Sequence, residues 1–197
     1  MTAKKWVNET CKYLGNGKAV ILPEYTQWSH MKRRCKTDGD YQTQFPSYLG
    51  CTYVPEWKSY DVWLEWARQQ VGFLCRDEKG KLYENDKDIL FKGNKIYSPD
   101  TCVFVSQELN KFLTDSLSAR GGYPIGVCLR GDIGKFVAQL SIGSKRYLGC
   151  FDTPTEAFQA YKVAKESKAK ELAIKYTGLV DPRVIDALNN FTVNIDD

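Results

Sequence analysis

The chain has 197 residues, with 28 Lys+Arg against 24 Asp+Glu for a net charge of +4 and a pI near 8.6. At 43% hydrophobic, 13% aromatic and 26% charged, with mean hydropathy −0.45, it has the composition of one or two folded domains, and wholesale disorder is excluded. No stretch approaches the roughly 20 apolar residues of a membrane helix, and Met1-Thr2-Ala3-Lys4-Lys5 lacks the apolar core of a secretory signal, so a cytoplasmic protein that makes no membrane contact is expected.

In chain order, residues 1–24 form an extension of little periodicity with a turn at Gly15-Asn16-Gly17. A short basic helix is predicted over Tyr25 to Cys35, a strand over Cys51 to Val54, and a helix over Asp61 to Gln70 with Trp63, Trp66 and Ala67 on its core face. From Gly72 to Asn110 the pattern is hairpin then helix, with turns at Lys79-Gly80 and Lys92-Gly93-Asn94 and a strand over Cys102–Val105, and Ser106 is placed to cap the helix that follows. Residues 116–122, with Gly121-Gly122, read as a linker. Beyond it, Pro124–Arg130, Lys135–Ile142 and Lys145–Phe151 read as a three-stranded antiparallel meander. Asp152 or Thr153 caps a long alanine-rich helix to about Tyr176, and a short amphipathic helix follows Asp181-Pro182.

The seven cysteines, at 11, 35, 51, 75, 102, 128 and 150, are odd in number and contain no C-x-x-C pair, which argues for reduced thiols and against a disulfide framework or a zinc site. His30 is the one histidine, so any two-histidine mechanism is excluded.

The run Tyr123-Pro-Ile-Gly-Val-Cys-Leu-Arg130, then Lys135–Ser141, then Lys145-Arg-Tyr-Leu-Gly-Cys-Phe-Asp-Thr-Pro-Thr-Glu-Ala-Phe-Gln-Ala-Tyr161, resembles the APETALA-two/ethylene-response-factor type DNA-binding domain over about residues 121–175. The resemblance implies a three-stranded sheet that lies in the major groove of double-stranded DNA, backed by one helix. Strand alternation puts Lys135, Val137, Gln139 and Ser141 on one face, and Gln can read adenine while Arg and Lys meet phosphate or guanine. Arg130, Gln139, Ser141, Lys145 and Tyr147 fall where that family touches DNA, with Lys135 and Arg146 beside them. Ile125 stands where the plant proteins carry arginine and Phe136 where they carry tryptophan, so their site preference does not transfer.

Trp28-Ser-His-Met-Lys-Arg-Arg-Cys35, Cys51 with Glu56-Trp57, Asn85-Asp-Lys-Asp-Ile-Leu90 and Tyr97-Ser-Pro-Asp-Thr-Cys-Val-Phe-Val-Ser-Gln-Glu-Leu-Asn110 resemble the phage HNH homing-type endonucleases over roughly residues 25–113. The expected architecture is therefore α+β: an HNH-like ββα-metal module over 25–115, the linker, a sheet-and-helix domain over 123–176, and a tail over 177–197. In that family one divalent cation, Mg²⁺ or Mn²⁺ by the oxygen character of its ligands, sits between strand and helix. The resemblance puts Asp86 and Asn110 at the metal positions and Lys87 where the family has its histidine base. Lys87 can act as a point charge, with Asp88, His30 or bulk hydroxide taking the proton. Thr101 replaces the asparagine that braces the loop. Lys32, Arg33, Arg34, Lys162, Lys165 and Lys168 would add phosphate contacts. The alternative is a DNA-binding protein, regulatory or anti-defence, built on the same modules without cleavage.

Overall fold

A proline at the first helical position, an acidic first turn at Glu24 and a last turn of Lys32, Arg33 and Arg34 complement the peptide dipoles of α1, Pro23–Arg34. The computed structural model describes residues 11–13, 19–38, 40–114, 122–142 and 144–196 and divides into two units, Met1–Val105 and Ser106–Asp197. No helix among the described residues is long and apolar enough to cross a membrane.

In the first unit β1 (Cys11–Tyr13) and β2 (Ala19–Ile21) pair antiparallel. Strands of three residues are too short to show alternation, which is why the stretch has no periodicity in the sequence. After α1 come α2 (Tyr41–Gln44), a 3-10 turn over Pro46–Tyr48 and β3 (Thr52–Tyr53). A second 3-10 turn, Pro55–Lys58, leads into α3 (Tyr60–Arg68). β4 (Glu84–Asp86), β5 (Ile96–Tyr97) and β6 (Val103–Val105) follow. β3 pairs parallel with β5, and β4 pairs antiparallel with β6 so that Asp86 stands opposite Val103. The core is aromatic: Trp57, Trp63 and Phe104 are fully buried, and Trp66 stacks 4.5 Å from Trp57 and 5.8 Å from Phe104. Trp28 on α1 donates its indole N–H to the Trp57 carbonyl at 2.9 Å, which fixes α1 over this layer.

The second unit begins with α4 (Gln107–Leu113), capped as expected by Ser106, whose Oγ accepts from Leu109 N–H. A module over 25–115 would have kept α4 with the first unit, yet its partners lie downstream. Phe112 packs 5.1 Å from Phe191, Glu108 accepts from Tyr176 Oη at 2.7 Å and pairs with Lys175 at 2.9 Å, and Ser106 Oγ donates to Tyr176 Oη. Of the expected linker only Gly122 lies within the described residues.

Three antiparallel strands, β7 (Val127–Arg130), β8 (Lys135–Ile142) and β9 (Ser144–Phe151), form the meander and pack on α5 (Pro154–Tyr176) through Ala138, Leu140, Ala157, Phe158 and Tyr161. Thr153 caps α5 in a capping box, accepting from Glu156 N–H while the Glu156 carboxylate accepts from Thr153 N–H. α6 (Pro182–Asn189) is capped by Asp181. The coarse α+β architecture thus has a sheet on a helix in the second unit and a small-sheet, tryptophan-rich first unit.

Candidate active site and nucleic-acid interface

At the end of β4 the chain turns because Asp86 Oδ1 accepts two backbone N–H groups, from Asp88 at 2.9 Å and Ile89 at 3.0 Å. The turn sends Lys87 inward. Its side chain is only 4% exposed, with Nζ 3.1 Å from Asp88 Oδ2 and 5.6 Å from the centre of the Tyr97 ring. The Asp88 carboxylate that it pairs with is 43% exposed, so an outside group meets Asp88 before the Lys87 ammonium. Burial first, and then the charge of Asp88, push the Asp86 carboxyl up to about 6.

Two side chains hold the loop after this turn. Asn94 donates to the carbonyls of Lys87 and Ile96, both at 2.7 Å. The Thr101 hydroxyl donates to the Ile96 carbonyl at 2.8 Å and lies 2.9 Å from Ser98 Oγ, so Thr101 braces the loop.

The three basic residues ending α1 differ in fate. Lys32 stacks on Trp28 at 4.3 Å and Arg33 on Tyr41 at 4.7 Å, with Arg33 exposed. Arg34 turns inward instead, 16% exposed, over Tyr48 at 5.2 Å, 3.5 Å from Glu84 and donating to the Asn85 carbonyl. Its two terminal nitrogens are engaged inside the unit while the buried Nε has no hydrogen-bond partner among the described residues, so the side chain is not at the surface where a phosphate contact was expected. His30 is exposed on α1, and burial of part of its ring, with Arg33 and Arg34 beside it, holds its pKa below the usual range against the opposing pull of Glu84. Its surroundings therefore favour the neutral imidazole.

Asn110, half-buried on α4, belongs to the second unit, where its Oδ1 accepts from the Thr114 hydroxyl at 2.9 Å. Among the described residues no three or more His, Cys, Asp or Glu side chains are grouped to hold a metal ion. Asp86 and Asp88 nonetheless form a carboxylate pair, and a hard cation such as Mg²⁺ binds through one or two carboxylates with water and phosphate completing its shell, so their donor chemistry fits that ion.

In the second unit the strand register sorts the sheet into two faces. Phe136, Ala138 and Leu140 face α5. On the opposite face directly paired residues form cross-strand rows: Arg130 with Lys135, Cys128 with Val137 and Cys150, Gln139 with Tyr147, and Ser141 with Lys145. The expected DNA-contact residues thus stand together. Arg146 is the exception: it pairs with Leu140, in the row on the helix side, and is exposed. Of Lys145 only the backbone is described. Tyr147 is 61% exposed, Arg130 pairs with Asp132 at 3.1 Å, and Lys135 pairs with Asp152 at 2.9 Å. The three α5 lysines expected to meet phosphate are engaged within the unit: Lys162 donates to the Val193 carbonyl, Lys165 to that of Phe112, and Lys168 pairs with Glu171.

No protein-family model, curated protein or solved structure matches the chain. The sequence marks Asn94 only as part of the Lys92-Gly93-Asn94 turn and gives no signal at Glu84. The structure places Tyr97 beneath Lys87, Asn94 as the clamp on Lys87's carbonyl, and Glu84 against Arg34. The signal for Asn94 was its position after the Lys92-Gly93 turn, which marks a turn but not its partner.

Proposed function

We propose that the chain is a divalent-metal-dependent, homing-type DNA endonuclease that docks double-stranded DNA on its three-stranded sheet. The observation that carries the reading is the carboxylate pair at the end of β4. Asp86 is forced towards protonation by burial and by Asp88, and two carboxylates in mutual repulsion are relieved by a cation between or beside them. Asp86 is the residue that would hold Mg²⁺ or Mn²⁺. When bound, such an ion stabilises charge on a phosphate and on its departing oxygen.

Asp88, half-exposed, is the group that takes the proton from an attacking water. Lys87 is a positioning residue: buried, it fixes the Asp88 carboxylate by an ion pair and touches no phosphate itself. His30, whose surroundings favour the neutral imidazole, is the competing proton acceptor. On the sheet, Gln139 and Tyr147 supply hydrogen-bonding groups for base edges, while Arg130 and Lys135 exchange their carboxylate partners for phosphates.

A second reading, DNA binding without cleavage, is favoured by one observation: an Asp88 oxygen is already committed to the Lys87 ammonium. Supercoiled DNA incubated with the protein in Mg²⁺, Mn²⁺ or EDTA separates the two. Metal-dependent nicking that disappears in Asp86→Ala and persists in His30→Ala supports the nuclease with Asp88 as base. Intact DNA with a salt-sensitive mobility shift supports the binding protein. Lys145→Ala weakens the shift under either reading.

A further inference from the structure

Antiparallel strands pair residue for residue, and β9 departs from this against β8. The partners run Phe136–Phe151, Val137–Cys150 and Ala138–Gly149, and then step to Gln139–Tyr147, so that Leu148 is an extra residue on β9. A bulge of this kind re-aims the side chains that follow it. Without the extra residue Leu148 would stand opposite Gln139 on the outward face and Tyr147 would turn towards α5, because successive side chains alternate. With it, Leu148 packs against the core beneath the sheet, and Tyr147 stands beside Gln139, 61% exposed. Gly149 makes the step possible: its φ is +144°, and a Cβ there would lie 2.9 Å from the Phe151 ring.

The pair brought together in this way is chemically uncommitted. Arg130 and Lys135 on the same face hold carboxylates, whereas no hydrogen bond among the described residues engages the Gln139 amide or the Tyr147 hydroxyl. A primary amide offers a donor and an acceptor side by side. In the major groove adenine presents the matching pair, N7 accepting and N6 donating, while guanine shows two acceptors, cytosine a donor, and thymine an acceptor beside its methyl group. A tyrosine ring is flat and largely apolar, which suits that methyl group. Directly paired residues have Cβ atoms about 5 Å apart. That exceeds the rise of one base pair, about 3.4 Å, and falls short of two, so the two side chains meet neighbouring pairs.

We propose that the bulge at Leu148 is a specificity device: it sets Tyr147 beside Gln139, and together they read two adjacent A·T base pairs, an adenine edge under Gln139 and a thymine methyl under Tyr147. The proposal rests on the docking reading above and names the sequence class of DNA that the sheet takes. Arg130 and Lys135, with phosphates as partners, add affinity that is the same for every sequence. Discrimination therefore falls to the uncharged pair, which gains nothing from phosphate and loses its match when the adenine is replaced.

The test uses the full chain in EDTA, so that no DNA is cut. Duplexes with a randomised centre are incubated with the protein at low salt, and the retained fraction is sequenced for the parent, Gln139→Arg and Tyr147→Ala. The parent should select two adjacent A·T positions. Gln139→Arg should exchange adenine for guanine at the first, since arginine bonds guanine O6 and N7, and leave the second alone. Tyr147→Ala should relax the second and spare the first. Should the variants fold poorly, the unaltered protein gives the answer with modified duplexes of the selected sequence. 7-Deazaadenine at the first position, which lacks the N7 acceptor, should lower affinity about fivefold or more, and uracil at the second, which lacks the methyl group, about two- to threefold. A preference for the shape of A·T-rich DNA alone would survive the deaza replacement. Full affinity for the deaza duplex, a G·C preference, or binding with no base preference overturns the proposal and leaves the docking reading standing. If the parent retains no duplex, the docking reading fails first and takes the proposal with it.

Discussion

Asp86 carries a load that a purely structural aspartate would not. Its carboxyl is raised to about 6 in the folded state, against about 3.9 in an unfolded chain. Between those values the folded protein holds the extra proton, so this group favours folding at low pH and its contribution is lost as pH rises through 6. Asp86→Asn keeps an oxygen for the N–H groups of Asp88 and Ile89 and removes the charge. We expect its Tm in EDTA at pH 8 to exceed that of the parent by about 3 °C, with the gap closing below pH 4 and with cleavage lost. A variant that melts lower than the parent at pH 8 would mean that the carboxylate is not in conflict with its surroundings. Lys87→Met gives the complementary result. Because Nζ is buried against Asp88 and Tyr97, DNA affinity should hold within about twofold while cleavage falls by about tenfold or more. A loss of affinity instead would put the ammonium in contact with DNA.

At the level of elements the strongest constraint is the close approach of β7 to α5. Gly126 has φ +77°, and a Cβ there would overlap the Tyr161 ring, while its carbonyl accepts from Gln139 N–H at 2.8 Å. Gly126→Ala should therefore cost about 3 kcal/mol or more, from left-handed strain plus overpacking. Gly131→Ala, where a Cβ meets nothing within 4 Å, should cost under about 1 kcal/mol. Urea unfolding of the two variants checks the contrast, and equal costs would refute the packing argument. These contacts also mark what the sequence could and could not disclose. The Thr153–Glu156 box before α5 and the alternation in β8 are local patterns and were legible, as was the Ser106 cap. The β1–β2 hairpin was not, nor was the grouping of α4 with the second unit, because that depends on Glu108 and Phe112 meeting Lys175, Tyr176 and Phe191, far away in the chain. At the site, Asp86, Lys87 and Asp88 were legible as a cluster. That the turn would bury the lysine and expose Asp88 follows from Asp86 accepting both following N–H groups, which no spacing reveals.

For the whole molecule, a net charge of +4 is too small to attract DNA by itself, and Arg130 and Lys135 on the sheet are already paired. Exposed pairs of this kind are weak and screened by salt, so phosphate can displace Asp132 from Arg130 and Asp152 from Lys135. The competition gives opposite signs to two substitutions. Lys135→Ala removes a phosphate partner and should lower the slope of log K against log salt by about 1. Asp152→Ala removes the competitor, leaves the Thr153 cap in place, and should raise affinity at low salt by about two- to threefold. Arg33→Ala extends the argument to the first unit, where the guanidinium stacks on Tyr41 yet stays exposed. If both units engage one duplex, as a nuclease docked by its sheet requires, the salt slope falls by about 1 in Arg33→Ala as it does in Lys135→Ala. An unchanged slope in Arg33→Ala with a reduced one in Lys135→Ala would leave the sheet as the sole DNA contact. The carboxylate pair of the first unit would then have no route to a phosphodiester, which would favour the binding protein over the endonuclease.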